Sequence, residues 1–211
     1  MTDGWTLAAE ARTAFADLCD TLTPEQINES TWCEGWDSHH VAAHVATFVE
    51  VPLPKFMFTI AKNKGNFDQA ADVMANALVE RPMSDLVATI RAKASKKSVL
   101  PIFPSELTMV DAVVHTEDIR RGLGLPGEPD PGLVRACLEF LTTSKKAGPL
   151  LETKGLLEGL RFEATDSDWT AGDGQLLSGS SIDLLLAIAR RPVDDQLTGD
   201  GVSALRARHK G

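Results

Sequence analysis

The sequence predicts a mainly α-helical protein: a helical bundle reaching to about residue 146, then a small α+β domain over 147–211. Three observations predict it. Apolar residues recur at helical spacing through most of the first 146 positions. Helix starts and stops are marked there by hydroxyl or carboxylate caps, prolines and glycines. Beyond that point the period changes, because Leu160, Phe162 and Ala164 alternate with Arg161, Glu163 and Thr165 as a strand requires.

Each element follows from local chemistry. Trp5, Leu7, Ala8, Ala11, Phe15 and Leu18 fall near helical spacing and predict a helix over 4–20. Thr23-Pro24-Glu25-Gln26 reads as a hydroxyl cap, a first-turn proline and a reciprocating Gln. A loop from Thr31 to Trp36 leads to Asp37, the expected cap of a helix over 38–50. Pro52 and Pro54 interrupt the pattern, and a short apolar piece over 55–61 ends at Asn63–Asn66. Helices are expected over 67–79 and 84–97, the second capped by Ser84, and over 104–121, stopped by Gly122 and Gly124. The stretch 126–131 is a firm break before a helix over 131–146. Past the strand, Asp166 to Gly174 is a turn cluster. Ser180 caps a very apolar helix over 182–189, and a last helix covers 202–208.

Composition excludes several classes. A chain of 211 residues with 43% hydrophobic and 24% charged residues can bury a core and is not disordered. Lys and Arg number 21 against 30 Asp and Glu, a net charge of −9, which argues against nucleic acid or an anionic membrane as partner. Cys19, Cys33 and Cys137 form no disulfide framework or metal-binding CxxC, and a reducing compartment fits them best. No basic-then-apolar leader opens the sequence, and no apolar run of about 18 residues occurs. The expectation is a soluble cytoplasmic protein.

The chemistry concentrates in the histidines: His39, His40, His44, His115 and His209. His40 and His44 are four apart on one predicted helix and share a face. Asp111 and His115 are four apart on another, and Asp118 follows three later on the same side. Glu117 points elsewhere. Both helices are otherwise apolar, so these polar groups need partners. A divalent metal shared by His44, Asp111 and His115 would satisfy all three and leave one coordination position open. A hydrogen-bonded Asp–His pair, or a solvated face, accounts for the same spacing. His39 and His40 read equally well as first-turn surface residues, and His209 as a solvated one. The cysteines read as small buried hydrophobes, with Cys33 close enough in sequence to line a pocket at the His44 helix.

The same residues carry a resemblance. Gly35-Trp36-Asp-Ser-His-His-Val-Ala-Ala-His44 and Asp111-Ala-Val-Val-His115-Thr-Glu-Asp118-Ile-Arg-Arg121 resemble two segments of the mycothiol-dependent maleylpyruvate isomerase family. Asp166-Ser-Asp-Trp169, Leu184 to Pro192 and Leu197-Thr-Gly-Asp-Gly201 look like its C-terminal signatures. Five such pieces in order cover nearly the whole chain. The resemblance implies a DinB-like four-helix bundle that carries a metal, usually zinc, plus a small C-terminal α+β domain.

It implies His44, Asp111 and His115 as metal ligands, with Asp118 orienting a ligating imidazole. The isomerases tend to have Glu where this chain has Asp111; Asp is one methylene shorter, so its carboxylate must approach with the backbone closer or bind through water. The resemblance also implies an actinobacterial setting and mycothiol as cosubstrate. The metal deprotonates the thiol, and the thiolate attacks a small electrophile, as an S-transferase or a cis–trans isomerase. Arg191 is the residue proposed to bind polar groups of the thiol, while Arg120, Arg121 and Arg190 suit helix ends. A non-catalytic DinB-like binding protein and a metal-dependent hydrolase are the competing readings. The electrophile and the oligomeric state, a homodimer included, stay open.

Overall fold

The computed structural model describes residues 3–97, 104–147 and 155–209. It divides into two compact units, 1–127 and 128–211.

The first unit is all helix. Its elements are α1 (Gly4–Cys19), α2 (Pro24–Ile27), α3 (Ser38–Glu50), α4 (Leu53–Lys62), α5 (Phe67–Leu78), α6 (Met83–Ala92) and α7 (Ser105–Gly122). Four of them close a ring: α1 packs along α7, α7 on α3, α3 on α6 and α6 back on α1, while α5 packs on α3 and α4 on α5. The interior is filled by Phe15, Val41, Val45, Val49, Leu86, Ile90 and Ile119, each nearly or fully buried. The bundle expected from the periodicity is therefore present.

Local chemistry explains the boundaries. Thr23 and Gln26 form the reciprocal capping box, but α2 is only one turn long. Pro52 and Pro54 do not interrupt a helix; they sit at the cap and in the first turn of α4, where a missing N–H costs nothing. Ser84 is not a cap. Pro82 holds that position, α6 starts at Met83, and Ser84 is exposed in the first turn. This helix also stops at Ala92 rather than near 97. The carbonyls of Ala94 and Lys96 are taken by the guanidinium of Arg12, which pins the chain there in a non-helical path.

The second unit begins with α8 (Pro131–Thr143), capped by the Asp130 carboxylate accepting from the Leu133 amide. Sequence periodicity alone assigns this helix to the bundle, with a break at 146. Compact units instead part between 127 and 128, and α8 packs on α9 (Ser181–Ile188) of its own unit. A three-stranded sheet has the order β2 (Thr170–Gly172), β1 (Leu160–Ala164), β3 (Gln175–Gly179), with β1 antiparallel to β2 and parallel to β3. The expected turn cluster thus contains a strand. The chain crosses from one side of β1 to the other through Gly174, whose φ is +132° and whose added Cβ would lie 2.1 Å from the Gly159 oxygen. The helix α10 (Gly201–His209) ends the unit.

His209 is half-buried rather than solvated. Burial lowers its pKa against the opposing Asp194 charge and a backbone bond at Ala187. No helix among the described residues is long and apolar enough to cross a membrane.

Candidate metal centre

Two helices bring the predicted residues together. Asp37 starts α3, its carboxylate accepting from the His40 amide. The helix is buried from Val41 to Val49, which places His44 inside the bundle with 9% of its surface exposed. α7 is buried along most of Thr108–Ile119, with His115 at 8% and Asp118 at 0%. The loop before α3 lies on the C-terminal end of α7, while His44 meets residues nearer its middle, so the two helices run in opposite directions. A Trp32 N–H donates to the Asp118 carbonyl at 3.0 Å. Gly122 permits this approach, since a Cβ there would sit 2.7 Å from the Thr31 Cα.

The donors converge. His44 Nε2 lies 3.3 Å from Asp111 Oδ1, and His115 Nε2 lies 3.6 Å from the same oxygen. The two imidazole centroids are 4.8 Å apart at 72°. One ligand atom from each of His44, Asp111 and His115 can be chosen so that all lie within 4.8 Å of one another. Metal bonds of about 2.0–2.1 Å at tetrahedral angles would set ligand atoms about 3.3–3.4 Å apart. The spacing fits a small divalent cation with little movement, and the shorter Asp side chain reaches far enough.

Electrostatics agree with that fit. Burial pushes the Asp111 carboxyl up, but the charge and hydrogen bond of His44, then the charges of His115 and Arg12, outweigh it and hold the carboxyl below its ordinary value. Asp111 is therefore ready as an anion. Asp118 Oδ2 lies 2.9 Å from His115 Nδ1 and accepts a hydrogen bond from it; in the neutral imidazole this puts the Nε2 lone pair on the side of Asp111 and His44. His44 Nδ1 is buried without a partner, so no hydrogen bond at that atom dictates its tautomer.

The remaining sequence candidates sort themselves. His39 Nε2 is 2.8 Å from the Arg81 carbonyl, away from the donors. His40 Nδ1 pairs with Asp37 at 2.8 Å. Glu117 is buried at 2% and takes Arg120 and Arg121, so it is a structural anchor rather than a surface group. Cys19 and Cys137 are buried, and burial raises both thiol pKa values, with the Asp20 charge adding to it at Cys19. Cys33 is only half-buried, and its sulfur lies within 4.8 Å of ligand atoms of His115 and Asp118. Arg191 belongs to the second unit, where its Nη1 donates to the Ala189 carbonyl.

Three residues escaped the sequence reading of this site. Trp36 is the first; its ring stands 4.9 Å from that of His44 and 6.3 Å from that of His115. Phe48 meets His44 edge-on at 5.0 Å, one turn further along α3. Arg12 is 2% exposed and acts on Asp111. Its signal was present: position 12 continues the apolar face of Ala8, Phe15 and Cys19, where a cation is out of place.

Comparison with known proteins agrees with these features. Residues 8–54 match the family model for the mycothiol maleylpyruvate isomerase N-terminal domain. The crystal structure of the mycothiol-dependent maleylpyruvate isomerase is similar over 95% of this chain and 96% of that one, with a TM-score of 0.62 at 17% identity. A histidine-to-alanine mutant of that enzyme gives 0.59 at the same identity and coverage. No curated protein sequence matches. The mainly α, DinB-like fold is thereby shared across the chain, and the resemblance read from the sequence stands on both grounds.

Proposed function

We propose that this chain is a metal-dependent enzyme using mycothiol as cosubstrate, an S-transferase or cis–trans isomerase acting on a small electrophile. The observation that carries the proposal is the convergence of His44, Asp111 and His115 from two antiparallel helices onto donor atoms within 4.8 Å, with Asp118 fixing the proton of His115. The likeness to the maleylpyruvate isomerase supports the choice of thiol chemistry over hydrolysis.

His44 and His115 would hold the cation through Nε2, and Asp111 through a carboxylate oxygen. A divalent cation, zinc by preference, supplies Lewis acidity there and makes a coordinated thiol reactive as the thiolate. The protein's own contributions are separate. Asp118 keeps the His115 proton on Nδ1, so that Nε2 remains a donor. Asp111 brings one negative charge, leaving three neutral or anionic donors and room for a fourth. Trp36 packs beside both imidazoles and Phe48 against that of His44. A thiolate delivered to this point adds to a conjugated cis double bond. The displaced π electrons pass to the conjugated carbonyl as an enolate; rotation about the new single bond and expulsion of the thiolate give the trans isomer, whereas protonation of the enolate by solvent gives the thioether.

The test is elemental analysis of purified protein, followed by thiol consumption with mycothiol and a panel of activated alkenes, epoxides and alkyl halides. Stoichiometric metal, with thiol turnover or alkene isomerisation abolished in His115→Ala, is expected. Metal-free protein after purification and reconstitution, or ester hydrolysis without thiol dependence, overturns the reading.

A further inference from the structure

Arg12 is the least expected residue in the first unit. It lies on the buried face of α1 with 2% of its surface exposed. Its Nη1 donates to the Ala94 carbonyl at 2.9 Å and to the Lys96 carbonyl at 2.8 Å, both uncharged acceptors. Its Nη2 is buried with no hydrogen-bond partner. A buried cation ordinarily needs an anion, because neutral acceptors compensate its lost hydration only in part. The helix it sits on packs along α7, which carries the carboxylates of the candidate centre. Of those, Asp111 is the group whose charge acts on Arg12, and the action is mutual.

Charge accounting gives this placement a purpose. The charges gathered at the three donors are Arg12, Asp111 and Asp118, and together they sum to one negative. Glu117, with Arg120 and Arg121, forms its own cluster at the end of α7. A divalent cation at His44, Asp111 and His115 would turn that sum to one positive. One monoanion would bring it to zero. Without Arg12 the cation alone would neutralise the site, and an incoming ligand would gain nothing from being charged.

We propose that Arg12 is a positioning residue that makes this centre bind a divalent cation together with one monoanionic ligand, which fits a thiolate rather than a neutral thiol or carbonyl. The proposal rests on the metal-thiol reading above. It deepens that reading by assigning the ligand's charge to a specific side chain. Its signature is a pair of opposite effects: the Arg12 charge opposes the cation and favours the anion.

The test uses apo protein, Co2+ as metal probe, and thiocyanate and 2-mercaptoethanol as ligand probes, read by visible absorption and by calorimetry in two buffers. Arg12→Met should weaken thiocyanate by about tenfold, the effect of a unit charge roughly 10 Å away at an effective dielectric of about 20. It should tighten Co2+ by about a hundredfold, because at one distance and one dielectric a dication feels twice the free energy that a monoanion does. Arg12→Lys keeps the charge and should leave both affinities near wild type; it carries the test if Arg12→Met does not fold. In wild type, 2-mercaptoethanol should release one proton on binding. Parallel weakening of Co2+ and thiocyanate in Arg12→Met marks a packing role and overturns the proposal. So does a loss of thiocyanate affinity in Arg12→Lys, or thiol binding without proton release. Wild type that takes up no Co2+ at all overturns the metal-thiol reading itself, a result distinct from the other three.

Discussion

Replacing Asp118 by Asn tests how far one hydrogen bond sets up the centre. The residue is fully buried and accepts from His115 Nδ1 at 2.9 Å. Asparagine keeps the volume, but its amide presents either an oxygen or an NH2 to the ring. If the NH2 turns inward, Nδ1 becomes the acceptor and the imidazole proton moves to Nε2. That nitrogen is 3.6 Å from Asp111 Oδ1 and would no longer offer a lone pair. Loss of such an orienting carboxylate costs about 10–100-fold in metal affinity, roughly 1.4–2.7 kcal/mol. Asp118→Ala differs, because it leaves Nδ1–H unpaired and removes about 1–3 kcal/mol of stability even without metal. Competition between apo protein and a chelator for Zn2+ measures the first effect, and urea unfolding in chelator measures the second. Asp118→Asn that binds Zn2+ as tightly as wild type would refute the orienting role.

Asp111→Glu should keep bound metal while Asp111→Asn should lose most of it, by elemental analysis; the reverse order would remove the carboxylate from direct coordination. Because the folded Asp111 pKa is lowered, its stabilising effect is present above the ordinary carboxyl range and is lost as pH falls through the lowered value. Acid unfolding of apo Asp111→Asn should therefore show a flatter limb than wild type. Gly122→Ala puts a methyl 2.7 Å from the Thr31 Cα and should cost about 1–3 kcal/mol in urea unfolding as the loop is pushed off α7. A thiol reagent should label Cys33 in the native protein and reach Cys19 and Cys137 only on unfolding; equal native rates at all three would contradict their burial.

What could be read in advance was what repeats along the chain. The four-residue steps from His40 to His44 and from Asp111 to His115 mark one face of each helix, and the structure joins one residue of the first face to both of the second. That Asp118 rather than Glu117 would meet His115 also followed from spacing, since only Asp118 shares its side of α7. Tertiary events left no such period. The helix after Pro82 ends at Ala92, and the carbonyls of Ala94 and Lys96 beyond it are held by Arg12, some eighty residues earlier. The parallel pairing of β1 with β3 depends on a crossing at Gly174 that looks in sequence like any polar turn. The position of Trp36 over both imidazoles required knowing that α3 and α7 run in opposite directions.

Trp36 also explains why its stretch of chain should behave as a unit of inheritance. Its ring reaches His44 from just outside the helix start, and the neighbouring Trp32 amide is tied to the Asp118 carbonyl. One residue inserted between Trp36 and His44 would turn that imidazole by about 100° and shift it about 1.5 Å along the axis. The ring would then face a different neighbour while Trp32 stayed anchored. Exposed side chains along this stretch can be exchanged one at a time, but its length cannot change. Over evolutionary time the segment should accumulate substitutions at exposed positions such as Glu34, keep glycine at Gly35, whose φ is +82°, and show gaps nowhere within it.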